Sequence, residues 1–215
     1  MTTIFNASQK LEHPDSQYEQ CKDAEHDHEW TDEVAQWYAE KYGDWPTTYE
    51  VVKHINWRSK DNVVDIGCGT GSTLRAISNY VKHGQLFGVD PMPVMLKVAR
   101  ETSNDNRLNY LSGSAECLPL DNASIDKVIS VNSFHHWRNI IAGLAEVKRV
   151  LTSTGRLFIA EDLDVMKLSG MDAQEIQQHL LKANFEIEQQ QLIRHNEIEF
   201  ILIEASLPAE KGALS

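Results

Sequence analysis

The sequence predicts an α/β fold in which helices cover both faces of a mostly parallel sheet. A first observation is the apolar run Val63–Ile66, which stops at glycines as a strand buried on both faces does. A second is the helical spacing of Leu74, Ile77 and Val81 directly after those glycines. A third is the continued alternation of short apolar runs with helical patterns, which is typical of strand–helix–strand units.

The composition favours a small-molecule function over nucleic-acid or membrane binding. A chain of 215 residues is long enough for one domain with a sizeable core. Its net charge of −12 and the lack of a Lys/Arg cluster argue against nucleic-acid backbones and anionic membranes as partners. No signal peptide or apolar span is found. Cys21, Cys68 and Cys117 are odd in number and lack metal-ligand spacing, so we expect reduced thiols, no bound metal and a cytoplasmic protein.

The chain divides into four predicted segments. Residues 1–30 are polar and have no sustained apolar period, which predicts a flexible N-terminal segment. Residues 31–60 carry amphipathic helical patterns and are interpreted as a lid or cap. Residues 61–207 form the α/β core, and residues 208–215 form a flexible tail.

The glycine-rich turn is the first candidate for a ligand site. Gly67, Gly69 and Gly71 let the backbone turn tightly and approach a ligand where side chains would collide. The helix that follows turns the positive end of its dipole toward the same crevice. A dinucleotide-binding loop places its third glycine one residue later, where this chain has Ser72. Asp65 suits a ligand with an ammonium group better than it suits a pyrophosphate.

The run from Asp65 to Gly71 closely resembles motif I, Asp-x-Gly-x-Gly-x-Gly, of the class I S-adenosylmethionine (SAM) methyltransferases. The resemblance implies that Asp65, Gly67, Cys68 and Gly69 line a bound SAM molecule. An NAD-dependent oxidoreductase stays open as a less favoured alternative, because it would share the sheet and part of the loop.

A second strand is predicted over residues 85–90, and it ends in the acidic residue Asp90. An acid about 20 residues beyond such a loop accepts hydrogen bonds from ribose hydroxyls. Asp90 therefore predicts a bound nucleoside without choosing between SAM and NAD. Pro91 and Met92 follow and start a helix, and Met92 either covers the adenine or belongs to the core.

The segment 112–120 is similar to the methyltransferase motif Gly-Asp-Ala-Glu-x-Leu-Pro, which meets the edge of the adenine ring. The resemblance places Ser114, Ala115 and Glu116 at that edge. Ser114 replaces the usual acid of the motif. A hydroxyl loses the charge-assisted part of the hydrogen bond, so we expect weaker binding at this position.

The fourth predicted strand, residues 124–131, leads into Asn132, Ser133 and the run Phe-His-His-Trp. Ligands of open α/β sheets bind beyond the carboxyl ends of the strands, which makes Asn132 and Ser133 candidate cofactor contacts. The run resembles small-molecule methyltransferases of the group that includes the ubiquinone and menaquinone biosynthesis enzymes. His135 or His136 is the candidate general base, or else a hydrogen-bonded wall of the site.

The remainder of the chain predicts a helix over 140–151, a strand over 156–161 and a helix over 171–185. Two closing strands, 186–193 and 197–205, predict an antiparallel hairpin. The family resemblance implies a Rossmann-like, doubly wound, seven-stranded sheet in the order 3-2-1-4-5-7-6, with strand 7 antiparallel.

The predicted N-terminal lid consists of two helical segments, residues 31–42 and 47–57. The first is similar to an Ala-x-x-Tyr pattern in which the tyrosine, here Tyr38, closes over the methionine end of the cofactor. A core-packing role for Tyr38 stays equally open, since aromatic stripes at helical spacing are commonly core.

These observations predict a SAM-dependent methyltransferase that acts on a small-molecule acceptor and releases S-adenosylhomocysteine (SAH). Catalysis would come mainly from positioning and from the exclusion of water. A non-catalytic SAM-binding regulatory module shares every cofactor motif and stays open as an alternative. A homodimer is compatible with the sequence.

Overall fold

The computed structural model describes residues 32–209 of the chain. The predicted flexible segment 1–30 lies outside these residues, as does most of the predicted tail, 208–215. The division between a cap, 31–60, and a core, 61–207, stays a prediction.

Within residues 32–209, seven strands form one sheet in the order β3-β2-β1-β4-β5-β7-β6. The predicted strand order is therefore confirmed, with β1 to β5 parallel and β7 antiparallel to both of its neighbours. All four residues of β1 are buried, as its apolar run predicts for a central strand. The strands are β1 Val63–Ile66, β2 Leu86–Asp90, β3 Leu108–Ser112, β4 Ile125–Val131, β5 Leu151–Asp162, β6 Glu186–His195 and β7 Ile198–Ser206.

Helices connect these strands, and short 3₁₀ turns follow two of the elements. The second predicted cap helix is split, because its α-helical part ends at Glu50 and a 3₁₀ turn follows. The helices are α1 Asp32–Tyr42, α2 Pro46–Glu50, α3 Ser72–Ile77, α4 Pro93–Glu101, α5 Ile140–Val150, α6 Leu163–Ser169 and α7 Ala173–Lys182, and the 3₁₀ turns are Val51–His54 and Phe134–His136.

Two helix boundaries differ from the prediction. α3 ends at Ile77, four residues before the predicted Val81, because Ser78 and Asn79 donate hydrogen bonds to carbonyls of the last turn. α4 begins at Pro93, and Met92 is its N-cap residue. The first helical position, which Pro93 occupies, is favoured for proline.

β5 is longer than predicted and α6 was not predicted. β5 begins at Leu151, which pairs with Ile125, and a register shift then accommodates the residues before Arg156, which pairs with Lys127. α6 has few buried residues, and its Leu168 is 89% exposed, so it lacks the apolar period on which a sequence prediction depends.

The hydrophobic core lies on the two faces of the sheet. On one face Leu144 and Val147 of α5 and Ile176 and Leu180 of α7 pack against the strands. The other face is covered by a second set of buried side chains that includes those of α3. Each large apolar side chain buried in this way contributes roughly 1.5–3 kcal/mol. The two layers hold the carboxyl ends of β1, β2, β4 and β5 side by side.

The N-terminal helices are attached to the glycine-rich turn. Thr70 Oγ1 donates to the carbonyl of Gly43, at the end of α1, over 2.6 Å. Arg75 Nη2 lies 3.0 Å from Asp44 Oδ1, directly after the same helix. The segment at the end of α1 therefore lies beside the turn.

Candidate functional site

The glycine-rich turn between β1 and α3 has one open position. Gly67, Gly69 and Gly71 have positive φ angles of 71°, 51° and 76°. A Cβ atom on Gly67 would lie 1.8 Å from Ser133 Oγ, and one on Gly71 would lie 2.4 Å from Tyr110 Oη. A Cβ atom on Gly69 would meet nothing within 4 Å. Gly67 and Gly71 thus make room for neighbouring side chains and Gly69 has open space, while their contacts to a ligand stay a prediction.

Asp90, at the carboxyl end of β2, is oriented by two backbone amides. Its Oδ2 accepts from Gly69 N over 2.9 Å, and its Oδ1 accepts from Met92 N over 2.8 Å. Burial raises the pKa of Asp90 to about 6, and the two hydrogen bonds act in the opposite direction. Each oxygen keeps a second lone pair, so this carboxylate can accept hydrogen bonds from hydroxyl groups of a ligand beside Gly69.

Asp65, on β1, is a buried carboxyl group without a protein donor. It is 2% exposed, and none of the residues 32–209 donates a hydrogen bond to its side chain. Burial first, and the nearby Asp90 second, raise the pKa of Asp65 to about 8. An unpaired buried charge is costly, so this carboxylate fits a ligand that brings a positive group.

Met92 and Tyr38 belong to a small apolar cluster near the acidic groups at the strand ends. Met92 clusters with Met95, and Tyr38 of α1 packs against this pair. Burial first, and then neighbouring Tyr42 and the carboxylates of the site, raise the pKa of the half-buried Tyr38. The tyrosine therefore lies within electrostatic range of the acidic groups at the strand ends. Pro91 is exposed at the start of this segment.

The segment after β3 closes on itself through an antiparallel bridge between Ser114 and Cys117. Ala115 is buried in the core. Glu116 does not point freely into the crevice, because its Oε1 accepts a hydrogen bond from Asn139 N over 2.9 Å. The side chain of Glu116 therefore fixes the start of α5, and contacts from this segment to a ligand stay a prediction.

The cysteines lie in different environments. Cys68, in the glycine-rich turn, is free and buried, as expected of a reduced thiol. Burial raises the pKa of its thiol, which makes it a poor nucleophile. The expectation of a reduced thiol is wrong for Cys117, which is disulfide-bonded.

The carboxyl ends of β4 and β5 are joined through Asn132 and Asp162. Asn132 Oδ1 accepts from Asp162 N over 2.8 Å, and Asn132 Nδ2 donates to Asp162 Oδ2 over 3.0 Å. Asp162 also accepts from Trp45 Nε1 over 2.6 Å and from Thr47 Oγ1 over 2.5 Å. This buried carboxylate thus connects both strands to the cap. The side chain of Asn132 is used within the protein, and Ser133 fills the space beside Gly67.

The two candidate histidines are not equivalent. His135 Nδ1 lies 2.9 Å from Glu161 Oε2, and the His135 side chain is 9% exposed. His136 lies on the exposed side, with its ring centroid 3.9 Å from that of His135. Partial desolvation first, and the adjacent His135 second, lower the pKa of His136 to about 4. The contact with Glu161 distinguishes His135 from His136 as the candidate general base.

Sequence reasoning missed Glu161 and Asp162 as site residues. They end β5 and are 1% and 6% exposed, which is rare for acids unless they have partners. The available signal was two consecutive acids at the end of the apolar run 157–160. Their partners lie at least 26 positions away in the chain, so no local spacing could have shown the contacts.

Across residues 32–209, no helix combines the length and apolar character that a membrane crossing needs. In that same part of the chain, no three His, Cys, Asp or Glu residues are grouped as metal ligands.

Comparison with known proteins identifies chains of similar sequence. Residues 64–159 match the family described as a methyltransferase domain. The chain is 31% identical over 114 residues to the uncharacterized methyltransferase YcgJ of Bacillus subtilis, covering 52% of this chain and 44% of that protein. It is 33% identical over 105 residues to the demethylmenaquinone methyltransferase of Deinococcus radiodurans, covering 48% and 44% respectively. The matches thus span about half the length of these curated relatives.

The fold also matches solved structures. A SAM-dependent methyltransferase from Aquifex aeolicus superposes with a TM-score of 0.71 at 19% identity, covering 82% of this chain and 98% of that one. At this level of identity the match establishes the shared fold.

Proposed function

Because the chain carries a class I methyltransferase domain, we propose that it transfers a methyl group from SAM to a small-molecule acceptor. The observation that carries this proposal is the open side of Gly69, whose amide donates to the buried Asp90, with a second buried acid, Asp65, near Asp90. A positively charged group with a ribose attached fits that arrangement. The similarity to methyltransferases makes the NAD-dependent alternative less favoured.

The residues present fit two parts of SAM, its ribose and its ammonium group. Asp90 would accept hydrogen bonds from the ribose hydroxyls, and Asp65 would lie toward the ammonium group. Gly69 leaves room for the ligand beside the turn. The proposed set of cofactor contacts is completed by Tyr38, Gly67, Cys68, Pro91, Met92, Ser114, Ala115, Glu116, Asn132 and Ser133.

Bound SAM would supply a methyl group activated by the adjacent sulfonium. The protein would hold the acceptor in line with that methyl group, and the cap would exclude water. His135 would take the proton of an acceptor hydroxyl or amine through Nε2 while the acceptor atom bonds to the methyl carbon. The electron pair of the broken carbon–sulfur bond stays on sulfur, which leaves SAH. Residue His136 would remain neutral beside it, given its lowered pKa.

The charge of the site limits the acceptor. Glu161, Asp162, Asp65 and Asp90 all lie at the carboxyl ends of their strands. An anionic acceptor would be repelled by this set of carboxylates. The proposal is therefore an uncharged acceptor with an ionisable hydroxyl or amine.

Release of SAH in the presence of acceptors tests the function. Purified protein with SAM would be incubated with a panel of hydroquinones, catechols and aromatic amines, all uncharged near neutral pH, and SAH would be measured by mass spectrometry. We expect SAH release that depends on at least one acceptor and is lost in the His135→Ala variant. Tight SAM binding with no acceptor-dependent SAH would instead support a non-catalytic module. The predicted homodimer and cytoplasmic location are kept as proposals, tested by light scattering and by cell fractionation.

A further inference from the structure

The end of β5 carries a carboxylate that is divided between two partners on the turn after β4. Glu161 Oε1 accepts from Phe134 N over 2.9 Å, and Glu161 Oε2 lies 2.9 Å from His135 Nδ1. The Glu161 side chain is 1% exposed. Both oxygens therefore have fixed, different hydrogen-bonding roles inside the protein.

This arrangement determines where the proton of a neutral His135 lies. A carboxylate only accepts hydrogen bonds, so the contact with Glu161 requires a proton on Nδ1. The lone pair of the neutral ring is then on Nε2. Nε2 has no hydrogen-bond partner among residues 32–209, and it is not completely buried. The basic nitrogen of His135 is thus left without a partner from this part of the protein.

Two titratable groups lie directly beside His135. The Glu161 carboxylate contacts its Nδ1, and the His136 ring lies next to the His135 ring. His136, on the same turn, has a pKa lowered to about 4 and does not compete for the proton near neutral pH. Asp162, the next residue of β5, is occupied by donors from the cap and from Asn132. Tyr38 faces this group of carboxylates from α1.

We propose that Glu161 is a positioning residue that holds His135 with its proton on Nδ1 and stabilises the imidazolium formed during methyl transfer. The inference rests on the proposed function for its catalytic consequence. In the reaction, the acceptor proton moves to His135 Nε2 and is later released to water. Glu161 does not take this proton and contacts neither the acceptor nor SAM.

The Glu161→Gln variant gives a sharp test, because glutamine keeps the shape of the side chain. The amide of Phe134 still needs an acceptor, so the glutamine oxygen would take the place of Glu161 Oε1. Its NH₂ group would then face His135 Nδ1 and force that nitrogen to accept. The neutral ring would carry its proton on Nε2, and the base would be disabled.

Nitrogen-15 NMR of the histidine rings reads this change directly in the SAH-bound protein, without any acceptor. We expect the neutral His135 ring to carry its proton on Nδ1 in the wild type and on Nε2 in Glu161→Gln. Asp61→Asn is the matched control. Asp61 is also buried, pairs with Lys127 over 3.0 Å and accepts a hydrogen bond from Arg58 N. It lies just before β1, at the amino ends of the strands. An unchanged tautomer in Glu161→Gln would overturn the proposal.

Turnover with an acceptor provides the second readout. Glu161→Gln should lower kcat at least tenfold with SAH affinity unchanged, and Glu161→Asp should restore part of the rate. A purely structural role predicts equal losses in Glu161→Gln and Asp61→Asn with the same pH profile, and that result would refute the proposal. A protein that shows the tautomer change but methylates no acceptor would refute the proposed function and support the Glu161–His135 contact.

Discussion

At the scale of single residues, the glycine-rich turn combines crowded positions with one, Gly69, that has open space beside it. Gly69→Ala should fold, because its Cβ meets nothing within 4 Å, at a cost of about 1–2 kcal/mol for a positive φ. It should also lose SAM affinity, since the new methyl group enters the open space beside Asp90. Gly67→Ala should be destabilised by about 2–5 kcal/mol, because its Cβ would overlap Ser133. Chemical unfolding and calorimetry would measure both effects.

Gly170 offers a matched control for the strain. It also has a positive φ, 76°, and open space around its Cβ position, but it ends α6. Gly170→Ala should lose about the same stability as Gly69→Ala and bind SAM normally. Normal SAM binding by Gly69→Ala would contradict the placement of the ligand.

The buried pair Asp65 and Asp90 predicts a stability that falls with rising pH. Their folded pKa values, about 8 and about 6, lie above the roughly 3.9 of an unfolded aspartate. The folded state therefore binds more protons, and stability present below pH ~4 is lost as pH rises through the folded pKa values. Urea unfolding between pH 5 and 9 should show this loss at about 1.4 kcal/mol per unit of raised pKa, as an upper limit.

Asp65→Asn should flatten that pH dependence between about pH 6 and 8, because it removes the group with the higher pKa. Asp126→Asn serves as the control. Asp126 accepts a hydrogen bond from Asn62 N at the amino ends of the strands, away from the pair. Parallel pH curves for wild type and Asp65→Asn would show that Asp65 is already ionised in the free protein.

At the scale of elements, the cap depends on its contact with the end of β5. Thr47 is fully buried, and its Oγ1 donates to Asp162 over 2.5 Å. Thr47→Val keeps the shape but removes a hydrogen bond to a charged group, which should cost about 1.5–3 kcal/mol. Thr48→Val removes an exposed hydrogen bond one position along and should change stability by less than about 0.5 kcal/mol. Similar losses in both variants would argue against this contact as the anchor.

α1 is the element predicted to close over the cofactor. Its exposed Trp37 has a partly exposed neighbour in Tyr38, and its attachment to the turn runs through Gly43. Hydrogen exchange of residues 32–42 should slow when SAH binds, because the ligand adds contacts to Tyr38. Tyr38→Phe should reduce this protection. Equal exchange with and without SAH would assign α1 to the scaffold.

The elements that the sequence predicted are those whose signal is local. The turn from Gly67 to Gly71 and the spacing to Asp90 could be recognised because each motif is continuous along the chain. The end of α3 could not, because Ser78 and Asn79 cap the helix by competing side-chain hydrogen bonds. α6 lacks an apolar period, so neither its existence nor its bounds were predictable.

At the scale of the whole molecule, the site is assembled by the sheet. Parallel strands bring their carboxyl ends to the same side of the sheet. Residues that are nearly 100 positions apart in the chain therefore lie on that side together, namely Asp65, Asp90, Asn132 and Glu161. The strand order came from a family resemblance, and with it the proximity of β4 to the turn. The pairing of Glu161 with His135 required coordinates, because it depends on side-chain direction at the ends of β4 and β5.

Ligand binding should therefore stabilise the molecule as a unit, and the choice of ligand identifies the site. SAH at a hundredfold excess over its Kd adds about 2.7 kcal/mol, which raises Tm by roughly 5–10 °C for a domain of this size. NADH should give no shift. Asp90→Asn should weaken SAH binding roughly ten- to a hundredfold and reduce the shift at the same SAH concentration to about half or less. A full shift in Asp90→Asn would remove Asp90 from the SAM site, and a larger shift with NADH would contradict SAM as the cofactor.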